Sequence, residues 1–435
     1  MPLEQLSRSN SLQPETASKT QTKTQPENSP AFDFDITIVG GGVVGTTLAC
    51  ALKDSGLKVG LIDAQSPARA AARQQVYAVS LLSGRILEGI GVWERILPKI
   101  TTFRNISLTD SNRAEVMFAP TDLKLDRLGY VAEHTPLLTE LQGFLAEAEN
   151  VSCVSPAQVI GVEYQDDGAI VEIKTEDTTE NTDNATQKLR TRLLVAADGS
   201  KSRVREAAGI RTRGWKYWQS CITLKVKPEK PHNNIAYERF WPSGPFAILP
   251  LTENRCNIVW TAPHEEAKAL SELDDDRFLE ELHRRYGDRM GRVSIASPRF
   301  IFPVKLMQSD RYVRSRLALV GDAAHCCHPV GGQGMNLGIR DAAALAQVLK
   351  TAWQQGEDIG NVRVLQRYER WRKWENLVIL GFTDFLDRLF SNGWLPLVAA
   401  RRLGLWILQN LFPLKQVSLR LMTGLLGRTP QLAQR

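Results

Sequence analysis

The chain has 435 residues, 43% of them apolar, and a formal net charge of +6. That length and composition support two packed domains or one elaborated α/β unit around a real core, and the modest basic excess reads as solvated lysines and arginines, with no nucleic-acid partner implied. Six scattered cysteines behind no secretory signal argue against a disulfide framework, and no apolar run reaches the roughly 18 residues needed to cross a bilayer, so a cytoplasmic protein is expected.

Residues 1–34 are rich in Ser, Thr, Gln and Pro and are expected to form a disordered tail. Glu4, Glu15 and Glu27 argue against a transit peptide in it. Asp35 to Val39 then reads as a strand, Gly40 to Gly45 as a turn, Thr46 to Leu52 as a helix, and Leu57 to Asp63 as a second strand ending in an acid. This order is the first half of a Rossmann unit. Leu193 to Gly199 is another buried strand ending in a turn. Residues 215–300 change character: Ser220–Val226, Phe246–Pro250 and Cys256–Trp260 alternate as antiparallel strands, with one helix from about Asp274 to Tyr286. Arg316 to Val320 returns to the buried-strand type, a helix runs from about Asn336 to Gln354, and the remainder is mainly helical.

Two glycine-rich stretches carry the chemistry. Gly40, Gly42 and Gly45 have the GxGxxG spacing, with Asp63 about 20 residues on to meet a ribose. The helix start that follows offers free N–H groups to a diphosphate. Nearly three hundred residues later, Gly321-Asp322 closes a strand, and Pro329 to Asn336 carries Gly331, Gly332 and Gly334 into a helix. Asp322 is read as a ligand for ribityl hydroxyls, with a helix N-cap as the alternative. The glycines allow backbone to press against a flat ring. Together the two stretches point to FAD, a ligand long enough to need both. His325-Cys326-Cys327-His328 is read as a turn with buried thiols, and no metal is expected, because adjacent cysteines converge poorly on one tetrahedral ion.

These motifs, with Ala197-Asp198-Gly199 between them, resemble the three fingerprints of the single-component flavoprotein aromatic hydroxylases. Gly91-Val92-Trp93, Glu238-Arg239-Phe240, Gly244 to Pro250, Arg255 to Trp260, Tyr368 to Arg372 and Leu389 to Asn392 resemble the ubiquinone-biosynthesis branch of that family. The resemblance covers everything after residue 34. It implies a Rossmann-type FAD-binding domain of the GR2-like hydroxylase fold, an antiparallel β-sheet substrate domain and a C-terminal helical region. The expected boundaries are 35–105, 140–212 and 300–350 for FAD, 106–139 and 213–299 for substrate, and 351–435 for the helices. Gly40, Gly42, Gly45 and Asp63 would hold the ADP half. Asp198 and Gly199 would touch both the flavin diphosphate and the pyridine nucleotide, and Gly321 and Asp322 the ribityl chain. Pro329, Gly331, Gly332, Gly334, Met335 and Asn336 would lie along the isoalloxazine, with Pro329, Gly334 and Asn336 at its reactive edge. Two positions depart from the branch: Gln75 stands where it usually has Arg, with Arg73 two residues earlier, and Leu138 stands where a polar residue is common.

The activity implied is ring hydroxylation of a prenylated phenol or quinone precursor through a flavin C4a-hydroperoxide. Dioxygen would be co-substrate, and NAD(P)H or a partner reductase the electron donor. No second Rossmann fingerprint for NAD(P)H is present. Phe240, Trp241 and Pro250 are candidates to roof the ring, against plain core packing. His134, Tyr217 and Tyr237 are candidates by type to deprotonate the phenol. From Arg388 onward the chain has no Asp or Glu, but it has Arg401, Arg402, Lys415, Arg420 and Arg428 among apolar residues. This suits either a helical cap or a peripheral contact with the inner face of a membrane. Two rival functions remain: an FAD-dependent isoprenoid double-bond reductase, and a non-catalytic flavin-binding subunit of a quinone-biosynthesis complex.

Overall fold

A computed structural model describes residues 31–110, 114–175 and 186–434. The expected tail lies outside them up to residue 30, but its last residues belong to the fold. The Asp33 N–H donates to the Arg190 carbonyl at 2.9 Å. Phe32 lies under the Arg190 and Arg192 guanidinium groups. Phe34 begins the first strand, Phe34–Val39.

That strand is the middle of a mainly parallel sheet. It pairs with Val59–Ile62 on one side and with the last residues of Thr186–Ala196 on the other. Leu317–Leu319 and Val151–Val154 extend the parallel order outward. Ile36, Ile38, Val59, Leu193 and Leu194 are wholly buried, as expected of strands covered by helices on both faces. Helices Val43–Ala51 and Gln333–Gln354 pack against each other, and a Cβ at Gly338 would crowd Val44. This brings the two glycine stretches to the same edge of the sheet.

The second sheet is mostly antiparallel, in the order His325–Cys326, Phe300–Ser309, Thr212–Pro228, Arg255–Pro263, Gly244–Leu251, Ile235–Trp241, Asn105–Asp110, Ala114–Phe118. Phe300–Ser309 therefore belongs to this sheet, nine residues past the boundary expected at 300, because it pairs with Thr212–Pro228. One face carries helices His264–Glu272 and Asp275–Tyr286. Ile222, Phe246, Ile258 and Trp260 meet Phe278 and Leu282 there. The sequence reading had only the second of these helices. A small sheet of Val76–Ser80, Gly129–Glu133 and Thr101–Phe103 joins residues expected in different domains.

The C-terminal region is helical, as Val362–Phe390, Leu395–Asn410 and Phe412–Thr423. Phe390, Leu405 and Leu419 enter a core cluster with Phe118 and Phe240 of the antiparallel sheet and with Leu128. Phe240 and Phe390 stack with ring centroids 4.0 Å apart. Among the described residues no helix is long and apolar enough to cross a membrane.

Candidate active site

Each glycine of the first turn has a different reason to be glycine. Gly40 has φ +110°, and a Cβ there would run into the Ala197 carbonyl. A Cβ on Gly45 would overlap the Gly40 carbonyl oxygen, so this residue lets the helix close on the strand. Gly42 is the opposite case: nothing lies within 4 Å of its Cβ position. It is the N-cap of helix Val43–Ala51, with no side-chain cap and no acid in the first turn. The helix start thus presents free N–H groups to open space, which suits a phosphate. Asp63 accepts the Gly41 N–H at 2.6 Å and the Gln65 N–H at 2.7 Å, bracing the turn.

The second stretch is held from behind by a buried charge network. Asp341 accepts from Gly321 N at 3.1 Å, Arg372 Nε at 2.8 Å and Asn376 Nδ2 at 3.1 Å, and pairs with His325 Nε2 at 2.6 Å. These cationic partners outweigh its burial and hold its carboxyl at about 2. Asp322 is exposed, with its carboxylate among the residues lining a cavity, while the protein around it pushes its pKa up. It caps no helix, since the short turn Gly321–Ala323 has Val320 before it and no side-chain cap. His328 is buried and neutral, its pKa pushed down to about 3 by desolvation. Its Nδ1 accepts the Val330 N–H at 3.3 Å, and its Nε2 meets Gln219 Oε1 at 3.3 Å.

Gly331 and Gly332 have φ +67° and +59°, and Gly332 is the uncapped start of helix Gln333–Gln354. Asn336 staples this loop to the Val76–Ser80 strand. Its Oδ1 accepts from Ser80 N and Ser83 Oγ, and its Nδ2 donates to Ala78 O and Gly332 O, all at 2.8 Å. The expected ring-edge amide is therefore fully committed to holding the loop, while Pro329, Gly334 and Met335 line the cavity beside it.

One cavity of about 850 Å³ runs from Gly42, Gly199 and Asp322 past Pro329–Asn336 into an apolar arm. Arg73 and Gln75 both line its dinucleotide end, and Arg73 Nη2 donates to Gln65 Oε1 at 3.1 Å. Leu138 is wholly buried in the core and lines nothing. Phe240 lines the arm, but Trp241 and Pro250 do not. Side chains alternate along a strand, so Trp241 turns to the helix-covered face under Arg285, and Pro250 shares the parity of Phe246 and Ile248. Tyr237 packs on the helix-covered cluster and also reaches the cavity lining. Tyr217 donates to Asp384 at 2.6 Å. His134 is fixed between Tyr77 at 2.8 Å and the Ala70 carbonyl at 2.9 Å. The residue that sequence reasoning passed over is Glu238, which has the parity of Ala236 and Phe240 and lines the cavity.

These residues fit FAD. Gly42 and Gly199 leave open space where a side chain would intrude, and Asp198 Oδ1 is buried with no hydrogen-bond partner among the described residues. The family described as "FAD binding domain" matches residues 33–374. Among curated proteins, the chain is 51% identical over 401 residues to "Uncharacterized protein slr1300" of Synechocystis, covering 92% of this chain and 95% of that one. It is 38% identical to "Ubiquinone hydroxylase UbiL" of Rhodospirillum rubrum, covering 91% of each. It is 34% identical to "3-demethoxyubiquinol 3-hydroxylase" of Escherichia coli, covering 90% of this chain and 98% of that one. The solved p-nitrophenol 4-monooxygenase PnpA of Pseudomonas putida has the same fold, with a TM-score of 0.76 at 17% identity over 91% of this chain and 98% of that one. Fold and site together define an FAD-dependent oxidoreductase. The chain belongs to the FAD-binding family of flavoprotein monooxygenases, in the group of the ubiquinone-pathway hydroxylases.

Proposed function

We propose that this chain hydroxylates the aromatic ring of a prenylated phenol in the biosynthesis of an isoprenoid quinone of the ubiquinone type. The carrying observation is the continuity of the cavity. The same cavity that is lined by Gly42, Gly199 and Asp322 is also lined by Phe118, Leu128, Leu386, Leu389, Leu405 and Leu408. A polar ring with an isoprenoid tail matches that division. Gly42, Gly199, Asp198 and Asp322 would hold the flavin, and Pro329 and Gly334 would flank its ring. The bound flavin, reduced by NAD(P)H or a partner protein, supplies the activation of dioxygen. The protein orients the phenol beside the Pro329–Asn336 loop and excludes water with the apolar arm.

The test is turnover of 2-geranylphenol by the full-length FAD-loaded chain under isotopically labelled dioxygen with NAD(P)H. One labelled oxygen in the product is expected. A product with a saturated side chain and no label would identify a reductase, and no turnover with either donor would leave a flavin-binding subunit.

The outer side of the C-terminal helices serves as a membrane face in this reading. Trp394 is 65% exposed and Trp406 63%, and Leu395, Leu403, Leu411, Phe412 and Val417 are exposed beside them. Two of the basic residues of this region face inward instead. Arg401 is buried against Asp110 at 3.0 Å, and Lys415 pairs with Asp122 at 2.9 Å. Attachment therefore rests on apolar insertion more than on charge. Trp394→Glu/Trp406→Glu is expected to weaken binding to phosphatidylcholine–phosphatidylglycerol vesicles by roughly tenfold or more, from about 1.4 kcal/mol per tenfold. Flavin content should not change, and added salt should release little wild-type protein. Vesicle binding that is equal in the two proteins would remove the membrane face.

A further inference from the structure

Glu238 sits in a row of cavity-facing residues that crosses the antiparallel sheet. Its neighbours in register are Leu108 on one side and Ala247 on the other. Val259 follows Ala247, and Thr223 follows Val259. All five line the cavity. Glu238 is the only ionisable member of the row, and the Gly331 backbone N–H of the ring loop is its hydrogen-bonding neighbour. An acid placed among Leu108, Ala247 and Val259 weakens the fold at that point unless something else requires it.

We propose that Glu238 is a catalytic residue that accepts the proton of the substrate phenol. This rests on the hydroxylase reading above. The phenol O–H bond breaks, a carboxyl O–H bond forms on Glu238, and the electron pair left on oxygen raises the nucleophilicity of the ring carbons ortho and para to it. No electron leaves the substrate in this step, and the proton later passes to solvent. The position suits the role: the carboxyl is on the sheet wall beside the Gly331 end of the loop that would flank the flavin ring, so a phenol bound against that loop presents its hydroxyl to the carboxyl and its ring to the flavin edge.

The surroundings set the pH at which the base works. Glu238 keeps some accessible surface, on the cavity side. Burial among apolar groups pushes its carboxyl up to about 8, opposed only by the Gly331 N–H. Among the described residues no charged partner is bonded to it. Arg239 lies on the far face, its Nη1 bonded to the Arg285 and Tyr286 carbonyls at 2.8 Å, and Tyr237 packs on the cluster of that face while also reaching the cavity lining. Phe382, Leu386 and Leu389 face the cavity from helix Val362–Phe390. Arg401 faces it from Leu395–Asn410, already paired with Asp110. Arg73, Tyr77, His134 and Asp322 lie at the dinucleotide end, Cys326 and Cys327 on the loop between, and the buried Cys221 thiol is pushed up chiefly by its own burial, with the Glu238 charge adding to it. The basic form is the deprotonated one, so hydroxylation should rise as pH climbs through about 8.

The experiment compares the full-length FAD-loaded wild type with Glu238→Gln and Glu238→Asp, using 2-geranylphenol. Hydroxylated product per reduced flavin is followed from about pH 6 to about pH 10. In the wild type the alkaline rise is expected near 8. In Glu238→Gln, product per reduced flavin should fall on the order of a hundredfold, with peroxide released instead. Its rise should move toward the phenol's own ionisation near about 10. Glu238→Asp keeps a carboxyl and should retain a rise below that value. Infrared difference spectra on phenol binding should show a protonated-carboxyl band that shifts in the wild type and is missing in Glu238→Gln. An unchanged profile and unchanged coupling in Glu238→Gln would overturn the assignment. So would loss of flavin in that variant, because the carboxyl would then be holding the Gly331 loop. A wild type that makes no hydroxylated product would overturn the hydroxylase reading itself, and the Glu238 role with it.

Discussion

Gly42→Ala should give a protein that folds, melts cooperatively and purifies almost colourless. The added methyl meets no protein atom within 4 Å, so the fold has no reason to object. It points instead into the cavity at the N-cap of helix Val43–Ala51, where a diphosphate would need close backbone approach. Overpacking by one methyl costs about 1–3 kcal/mol, which is about 5–150-fold in flavin affinity. Gly45→Ala should behave differently. Its methyl overlaps the Gly40 carbonyl oxygen, so the turn itself must open and stability falls along with flavin binding. Flavin fluorescence titration paired with thermal melting separates the two. If Gly42→Ala binds FAD like the wild type, the diphosphate does not lie on this turn.

The contrast between these glycines also marks what a sequence can reveal. The first turn is local: strand, glycines, helix and acid lie within thirty residues, and their spacing alone carries the geometry. The ring loop was legible for a similar reason, since a left-handed start to a helix calls for glycine at Gly331 and Gly332. What was not legible depends on partners far along the chain. Nothing near Asn336 in sequence shows that Ser80 and Ser83 take its side-chain oxygen, although the residue does line the cavity. Glu238, Trp241 and Pro250 turned on the phase of two strands. Alternation says that Glu238 and Trp241 face opposite ways, but which face meets the cavity is fixed by helices His264–Glu272 and Asp275–Tyr286 covering the other one. The first of those helices was not read from the sequence at all. Arg401 and Lys415 looked like membrane-facing charges until Asp110 and Asp122, nearly three hundred residues earlier, were found beneath them. The strand Phe300–Ser309 sits next to the flavin loop in sequence but in the antiparallel sheet in space.

Asp341→Asn is expected to be the most destabilising single change near the site. The carboxylate is wholly buried, with its two oxygens shared among Gly321, His325, Arg372 and Asn376. An amide can accept at only one end. The buried Arg372 would keep Glu375 and Asn376 as partners but lose the wholly buried one of its two carboxylates. Removing one partner of a buried ion pair costs about 3–5 kcal/mol, so Tm should fall by several degrees. Flavin affinity should fall as well, because the Gly321 N–H that Asp341 holds sets the direction of Asp322. The pH dependence gives the mechanism a separate signature. The folded carboxyl is held at about 2 against an ordinary value of 3.8. A depressed acid contributes stability that is present above the unfolded value and is lost as pH falls through the folded one. The gap in Tm between wild type and Asp341→Asn should therefore be full above about pH 4 and should narrow as pH drops toward about 2. A gap that stays constant across that window would show that shape, not charge, makes Asp341 necessary, and the network would then have to be rebuilt around packing.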